Sequence, residues 1–515
     1  MLTFPLVIIA FLGWLYQQFV YRRKFYPPGP MPLPFIGNFH QINLANPARS
    51  MLKWRERYGP VFTVWLPKPI VVLATHKTLQ EALVRNGDAF AGRPTSFLYS
   101  IFTKNRQDGD GIILCQKERW SVNRAFALRV FRDCGMGRDV MAEKILIQAE
   151  TLVNHLKERI GDKQQTRLNP HHPLAFCVGN IIHDLIIGRT YPYGDSEFER
   201  FKFLIDSTLK DVASWQMQMV DSYPFLAEFF SLFRRYKKNG FALQQFFLDE
   251  IERHDENLSE DGDPRDFMEA YLREMKRQPE NPHFNKLTLA LTSGDLWTGG
   301  METSVTTLRW AIIFLMYHPH IQKRLHDEID QVLGDSRATY SCRNQMPYTM
   351  ATLSELQRIC NVLPWHIPHR VLRNVTIEGV LLKEGTDVMP QFGAVHTDPK
   401  AFDQPDEFRP ERFLDSNGHF CPRVDMNPFG LGKRACLGEN LARYELFLLF
   451  VTILQEFQFE RIEGHPLPSL ARSPGMTSVP KEFECQIRAR RPQNPKNLEN
   501  NNDLLTPNFN VNANA

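Results

Sequence analysis

A lone cysteine set among glycines, directly ahead of an apolar helical pattern, constrains this chain more than any other feature. The stretch reads Phe429-Gly430-Leu431-Gly432-Lys433-Arg434-Ala435-Cys436-Leu437-Gly438. A sulfur at a helix N-terminus feels the positive end of the macrodipole, and Lys433 and Arg434 add charge of the same sign, so the thiol pKa should fall and the thiolate persist. Glycines at 430, 432 and 438 allow a tight turn and let backbone lie against a flat partner. A large planar ligand bonded through sulfur suits such a loop. Two plainer readings stand beside it. One is a buried structural cysteine, the usual role of a lone Cys. The other is dinucleotide binding, since residues 430–435 fit G-x-G-x-x-A, but Asn427-Pro428-Phe429 precedes them where a strand should be, and no βαβ unit frames them.

At 515 residues and 43% hydrophobic, the chain can bury a large core. The length would permit two or three domains, yet no linker, charge block or repeat divides residues 30–490, so one catalytic domain is expected. A net charge of +3 points to no nucleic-acid partner. Eight cysteines without a C-x-x-C pair suit a reducing compartment. Sixteen histidines without H-E-x-x-H give a zinc hydrolase no basis, and His171-His172 reads as a solvated loop pair.

Residues 2–20 form an apolar run broken by Thr3, Pro5, Gly13 and Gln17-Gln18, long enough as a helix to cross a hydrocarbon core of about 30 Å. A cleaved signal peptide is the rival, but the positive charges, Arg22-Arg23-Lys24, follow the run. The positive-inside rule then leaves the body cytosolic, with Trp14, Tyr16 and Tyr21 suited to the interfacial belt. The expected organisation is a transmembrane anchor over 1–21, a basic and proline-rich hinge over 22–34, a catalytic domain over 35–490 and a disordered Asn-rich tail over 491–515.

Short strands are expected at 61–66 and 70–74, and helical periodicity dominates 141–333, so the fold is mainly α with minor β sheet. Residues 287–317 are apolar and nearly free of charge. A buried internal helix is favoured there over a second membrane span, because Asp295, Glu302 and Arg309 would each be expensive in lipid. Gly299-Gly300 clears side chains from one patch of that helix, as for a ligand lying against it. Beside the pair, the Glu302 acid and the Thr303 hydroxyl can order a water chain that delivers protons. The plainer alternative is a threonine bonded back to its own helix and a glutamate in an internal ion pair. Glu355 and Arg358 lie one turn apart, within ion-pair reach. Trp120 and Arg124 likewise offer an indole N–H and a guanidinium from one helix face.

In order along the chain come Trp120-Ser121-Val122-Asn123-Arg124, Gly299-Gly300-Met301-Glu302-Thr303-Ser304, Glu355-Leu356-Gln357-Arg358, Phe408-Arg409-Pro410-Glu411-Arg412-Phe413 and the Cys436 loop. Five such motifs in this order and spacing resemble the cytochromes P450. The likeness is nearest to the microsomal family 2 type, through Pro27-Pro28-Gly29-Pro30 and residues 131–143 (FRDCGMGRDVMAE). The resemblance implies the cytochrome P450 fold, one haem-containing domain behind an N-terminal membrane anchor, and haem b (iron protoporphyrin IX) with Cys436 as the axial thiolate ligand. It implies proton relay by Glu302 and Thr303, and propionate contacts from Trp120, Arg124, His369, Arg434 and Arg93. Phe429 shields the thiolate, and Glu355, Arg358 and Arg412 brace the Cys loop. Pocket walls fall at 97–115, 201–209, 295–302, 363–367 and 475–478, including Gly299, Gly300, Leu363 and Met476. Most of these residues are apolar, as the substrate should be.

The function so implied is a monooxygenase that inserts one oxygen atom of O2 into a lipophilic compound such as a xenobiotic, fatty acid or steroid. No flavin or nicotinamide site is evident, so electrons should come from NADPH through a separate NADPH–cytochrome P450 reductase, with cytochrome b5 as a further partner. Arg129, Arg132, Lys433 and Arg443 are candidates for docking it. The expected location is the endoplasmic reticulum membrane, single-pass, with the catalytic domain in the cytosol. Two other readings stay open: an isomerase or lyase that rearranges a peroxide, and a non-catalytic haem or lipophile binder.

Overall fold

The computed structural model describes residues 3–104, 106–133, 139–259 and 262–491. The Asn-rich tail therefore lies, beyond its first residue, outside the described residues. Helices dominate, as expected, the principal ones being α1 (Thr3–Tyr16), α2 (Lys117–Asp133), α3 (Asp139–Ile160), α4 (His171–Ile187), α5 (Ser196–Val212), α6 (Ser231–Glu256), α7 (Lys286–Tyr317), α8 (Pro347–Cys360) and α9 (Glu439–Glu456).

The charge-poor segment forms α7, an internal helix of 32 residues. The Asn285 side chain caps its start by accepting the Thr288 N–H at 2.9 Å. Its last residue, Tyr317, is followed by His318 and then Pro319, whose ring disfavours helix at the residue before it. Trp297, Met301, Val305, Leu308 and Trp310 are buried along it, and α4, α6 and α9 pack around it. The one cation in its C-terminal half, Arg309, is buried and reaches Glu482 at 2.9 Å.

The strands are β1 (Val61–Leu66), β2 (Lys68–Leu73), β3 (Gln165–Leu168), β4 (His369–Arg370), β5 (Val375–Ile377), β6 (Val380–Leu382), β7 (Asp387–Pro390), β8 (Phe457–Glu460), β9 (Arg472–Ser473), β10 (Val479–Pro480) and β11 (Cys485–Ala489). The hairpin β1–β2 forms where expected, and β7 then lies parallel to β2 with Val71 opposite Val388. Antiparallel pairing of β4 with β7 brings His369 to the edge of this sheet. The antiparallel pair β9–β10 stands close to α7.

The N-terminal run departs from expectation. Among the described residues no helix is long and apolar enough to cross a membrane. The α-helix stops after 14 residues, about 21 Å at 1.5 Å per residue. At Gln17-Gln18 it passes into a π turn (Gln17–Tyr21) and a 3-10 turn (Arg22–Phe25). Two amide side chains at the end of the apolar run shorten the purely apolar stretch below bilayer thickness.

Candidate active site

Cys436 lies on a loop closed by main-chain bonds and placed three residues before α9. Its N–H donates to Phe429 O at 2.9 Å, and Ala435 N–H donates to Gly432 O at 3.0 Å. Gly432 has φ +74°, and a Cβ there would run into the Leu83 carbonyl, so only glycine lets the loop close on the 80–85 turn. Cys436 is open to solvent on one side and enclosed by protein on the others. That enclosure raises its thiol pKa, opposed by the Gly438 N–H and Arg124, whereas Glu439 raises it further. The expected drop is thus corrected, and the side-chain directions say why. Lys433 turns away to pair with Asp88, and Arg434 turns to main-chain carbonyls.

Those carbonyls define a cationic cluster. Arg434 donates to Ala91 O (2.8 Å), Ile112 O (3.3 Å) and Cys115 O (2.6 Å). Arg93 donates to Ile113 O (3.0 Å), Ile367 O (3.2 Å) and Pro368 O (2.8 Å). Arg124 reaches from α2 to Ala435 O at 2.7 Å, next to the cysteine. Trp120 lies one turn away with its ring 3.8 Å from the Arg434 guanidinium carbon, and its buried Nε1 has no partner. His369 Nδ1 contacts Phe90 O at 2.6 Å, and burial, with Arg93 nearby, holds its pKa well below the usual range. None of the three arginines is ion-paired with a carboxylate among the described residues. Burial and mutual repulsion push Arg93 down to about 9 and Arg434 to about 8. Three guanidiniums crowded without an anion, beside an indole N–H that lacks an acceptor, constitute a site for a dianion. The haem that the resemblance implies, with its two propionates, would supply that charge.

In α7, Gly299 meets no atom within 4 Å of the position a Cβ would take. Gly300 serves a different end, facing Ile182 of α4 so closely that a Cβ would sit 2.6 Å from its Cδ1. Thr303 Oγ1 donates to Gly299 O at 2.7 Å, the back-bonded arrangement. Glu302 does not pair with it. Its Oε1 accepts from Thr477 Oγ1 at 3.2 Å and Thr306 Oγ1 at 3.5 Å, and burial, with Asp206 nearby, raises its carboxyl to about 7. Leu363 and Met476 are half-buried in the segments expected to line the pocket.

On the cysteine side, Arg443 lies 4.9 Å from the Phe429 ring centre. Glu355 and Arg358 are fully buried and doubly bonded, both contacts at 2.7 Å, and Arg412 reaches Glu355 at 3.1 Å. Of the proposed docking cations, Arg129, Lys433 and Arg443 each pair with a carboxylate of this chain, namely Glu274, Asp88 and Glu439.

Two acids take roles the sequence reading did not give them, Asp295, which it placed only in a pocket wall, and Glu445. Asp295 accepts the N–H groups of Ile112 and Ile113 at 2.8 and 2.9 Å and so ties that loop to α7. Glu445 in α9 is 1% exposed, accepts from Ser304 Oγ at 2.8 Å, and has no partner at Oε1. Its sequence signal is an acid placed directly before the apolar run Leu446 to Leu449. Burial raises its carboxyl from 4.5 to about 8. A folded-state pKa above the unfolded value gives stability that is full below 4.5 and lost as pH rises through about 8. Glu445→Gln should therefore melt above the wild type at pH 8.5, by the equivalent of a few kcal/mol at most. The gain should vanish toward pH 5, as differential scanning calorimetry at the two pH values would record.

The profile of the cytochrome P450 family matches residues 27–487. The chain is 38% identical to a "3-ketosteroid oxygenase" of Caenorhabditis elegans over 489 residues, 94% of this chain and 84% of that protein. It is 36% identical to rabbit (Oryctolagus cuniculus) "Cytochrome P450 2G1" over 90% of this chain and 93% of the relative. With mouse (Mus musculus) "Cytochrome P450 2B19" the identity is 35%, over 90% and 94%. The protein is an oxidoreductase of the haem-thiolate monooxygenase class. It belongs to the cytochrome P450 family, whose members bind haem b through a cysteine thiolate.

Proposed function

We propose that the chain inserts one oxygen atom of dioxygen into a lipophilic organic substrate, with electrons from NADPH passed by a separate NADPH–cytochrome P450 reductase and cytochrome b5 as a second donor. The observation that carries the reading is the convergence of Cys436 with three guanidiniums that lack carboxylate partners. Cys436 would hold the iron. Arg93, Arg124, Arg434, His369 and the free Trp120 N–H would hold the propionates, and Phe429 would screen the sulfur. Thiolate-ligated haem, when bound, supplies reductive activation of dioxygen. Gly299 leaves open space beside α7 into which a bound ligand would fit. Glu302, with its carboxyl near neutrality, can hold or release a proton at working pH. Thr303 spends its own proton on Gly299 O and so presents its lone pairs to a water, which it orients toward the site.

Thr303→Ala is expected to keep haem content but to divert reducing equivalents to hydrogen peroxide, lowering product per NADPH by roughly tenfold or more. Peroxide and product counted against NADPH in a reductase-reconstituted assay check this, and unchanged coupling refutes the relay.

The apolar walls at Leu363 and Met476, and a relative named for 3-ketosteroids, support a steroid-like substrate ahead of a fatty acid or other xenobiotic. A spin-state shift of the haem protein with 3-ketosteroids and none with fatty acids is the expected result. The proposed location is the endoplasmic reticulum membrane, single-pass, with the catalytic domain cytosolic. Continuous helical backbone from α1 through Phe25 supports it. So does an exposed aromatic surface in which Phe11 and Trp14 meet Phe35, which in turn meets Tyr223 beside the exposed Phe225.

A further inference from the structure

Glu302 stands next to Thr303 in sequence, yet its carboxyl is aimed elsewhere. The strongest bond it accepts from outside its own helix comes from Thr477, 175 residues away, at 3.2 Å. Thr477 is not free to follow the acid. It is 8% exposed and sits between β9 and β10 in a segment fixed on three sides. Trp310 Nε1 of α7 donates to Ser478 O at 2.7 Å, Ser478 N–H donates to Val362 O at 2.8 Å, and Arg472 Nη1 donates to Ser478 Oγ at 2.9 Å. Arg472 is itself bound to the carbonyls of Ile359 and Cys360. A hydroxyl held by a braced hairpin sets the direction of a flexible carboxylate, rather than the reverse.

We infer that Thr477 is a positioning residue for Glu302, holding the acid's Oε1 on the β9–β10 side of α7 and stabilising its ionised form. Other groups also act on this carboxyl. Burial and Asp206 of α5 favour the neutral acid, Lys202 of α5 and Arg309 of α7 favour the anion, and Thr306 adds a longer bond from within the helix. Thr477 and Thr306 are the uncharged donors among these, and Thr477 makes the shorter bond and the one from outside the helix, so its removal leaves every charge in place and isolates its contribution. The same short segment carries Met476, so the wall expected to meet substrate and the acid expected to hand on protons share one support. The inference deepens the relay reading and rests on it for its functional meaning, but the bond and its effect on Glu302 stand or fall separately.

The test uses the full-length, haem-loaded protein and follows the Glu302 carboxyl C=O stretch by infrared difference titration, with Glu302→Gln identifying the band. Thr477→Val removes the hydroxyl at nearly constant shape. It should raise the midpoint of the Glu302 titration by roughly half a pH unit to one unit, the effect of losing one hydrogen bond to a charged group. Thr477→Ser, which restores the hydroxyl, should return it to the wild-type position. A midpoint unmoved in Thr477→Val, or moved equally in Thr477→Ser, overturns the inference. The reduced, carbon-monoxide-bound spectrum shows that each variant is folded and loaded, and Thr477→Ala, which also lacks the hydroxyl, gives the same raised midpoint if the valine variant does not fold. The relay reading is decided by a different measurement, the electron coupling of Thr303→Ala, so failure of one is not mistaken for failure of the other.

Discussion

Replacing Cys436 by serine should yield a folded protein that has lost both the thiolate haem spectrum and turnover. The fold should survive because the loop does not depend on the sulfur. Its closure rests on main-chain bonds from Cys436 N to Phe429 O and from Ala435 N to Gly432 O, and Arg124 grips the Ala435 carbonyl. A hydroxyl is a far weaker donor to iron than a thiolate and does not ionise in this range, so the electron push that favours O–O cleavage is lost. The enclosure that raises the Cys436 pKa sharpens the expectation. With little help from neighbouring charge, the anion there needs the metal itself, which deprotonates a coordinating thiol outright. The reduced carbon-monoxide difference spectrum should show no thiolate band, while circular dichroism should match the wild type. Product formation should fall below detection. A Cys436→Ser protein that keeps the band and the activity would remove the cysteine from the centre of the site.

Which parts of this arrangement could be read from the chain alone follows the range of the interactions involved. The internal helix α7 was legible because its cause is local, a long apolar run nearly free of charge. The Glu355–Arg358 pair was legible for the same reason, since a spacing of three residues puts two side chains on one face. The position of the Cys loop before α9 was likewise written in its glycines. Side-chain direction was not. Lys433 adds positive charge near the sulfur only on paper, because Asp88, 345 residues away, draws it off. Glu302 sits beside Thr303 in sequence, yet a hairpin 175 residues downstream claims its carboxyl. The parallel pairing of Val71 with Val388 depends on a contact no local pattern announces. At the N-terminus composition was read correctly as apolar, but the change of winding was not, since at the Gln17-Gln18 pair the α-helix passes into a π turn while the backbone stays helical. Glu445 was visible only as an acid out of place in an apolar helix.

Arg358→Ala is expected to cost about 3–5 kcal/mol, the range found when one partner of a buried ion pair is removed. Both partners are 0% exposed, so no water replaces what is lost. Glu355 would keep Arg412 at 3.1 Å and the Arg409 N–H at 3.0 Å, but lose the bidentate fork that satisfies both its oxygens. The carbonyls of His396 and Pro405, each bonded at 2.8 Å, and of Glu407 at 3.2 Å would lose a donor at the same stroke. The damage has a route to the haem site. His396, whose carbonyl Arg358 holds, accepts the N–H of Asn427 at 3.1 Å through Nε2, and Asn427 opens the segment leading to Phe429 and Cys436. Loosening this anchor should first appear as haem that leaves the protein, before bulk helix is lost. Arg358→Lys keeps the charge but replaces a planar five-donor fork with a single ammonium, so it should fall between alanine and wild type. The measurement is haem retained per folded chain during incubation at 37 °C, alongside the melting temperature. If the alanine variant held its haem as long as the wild type, the network would be structural ornament at the Cys loop rather than its brace.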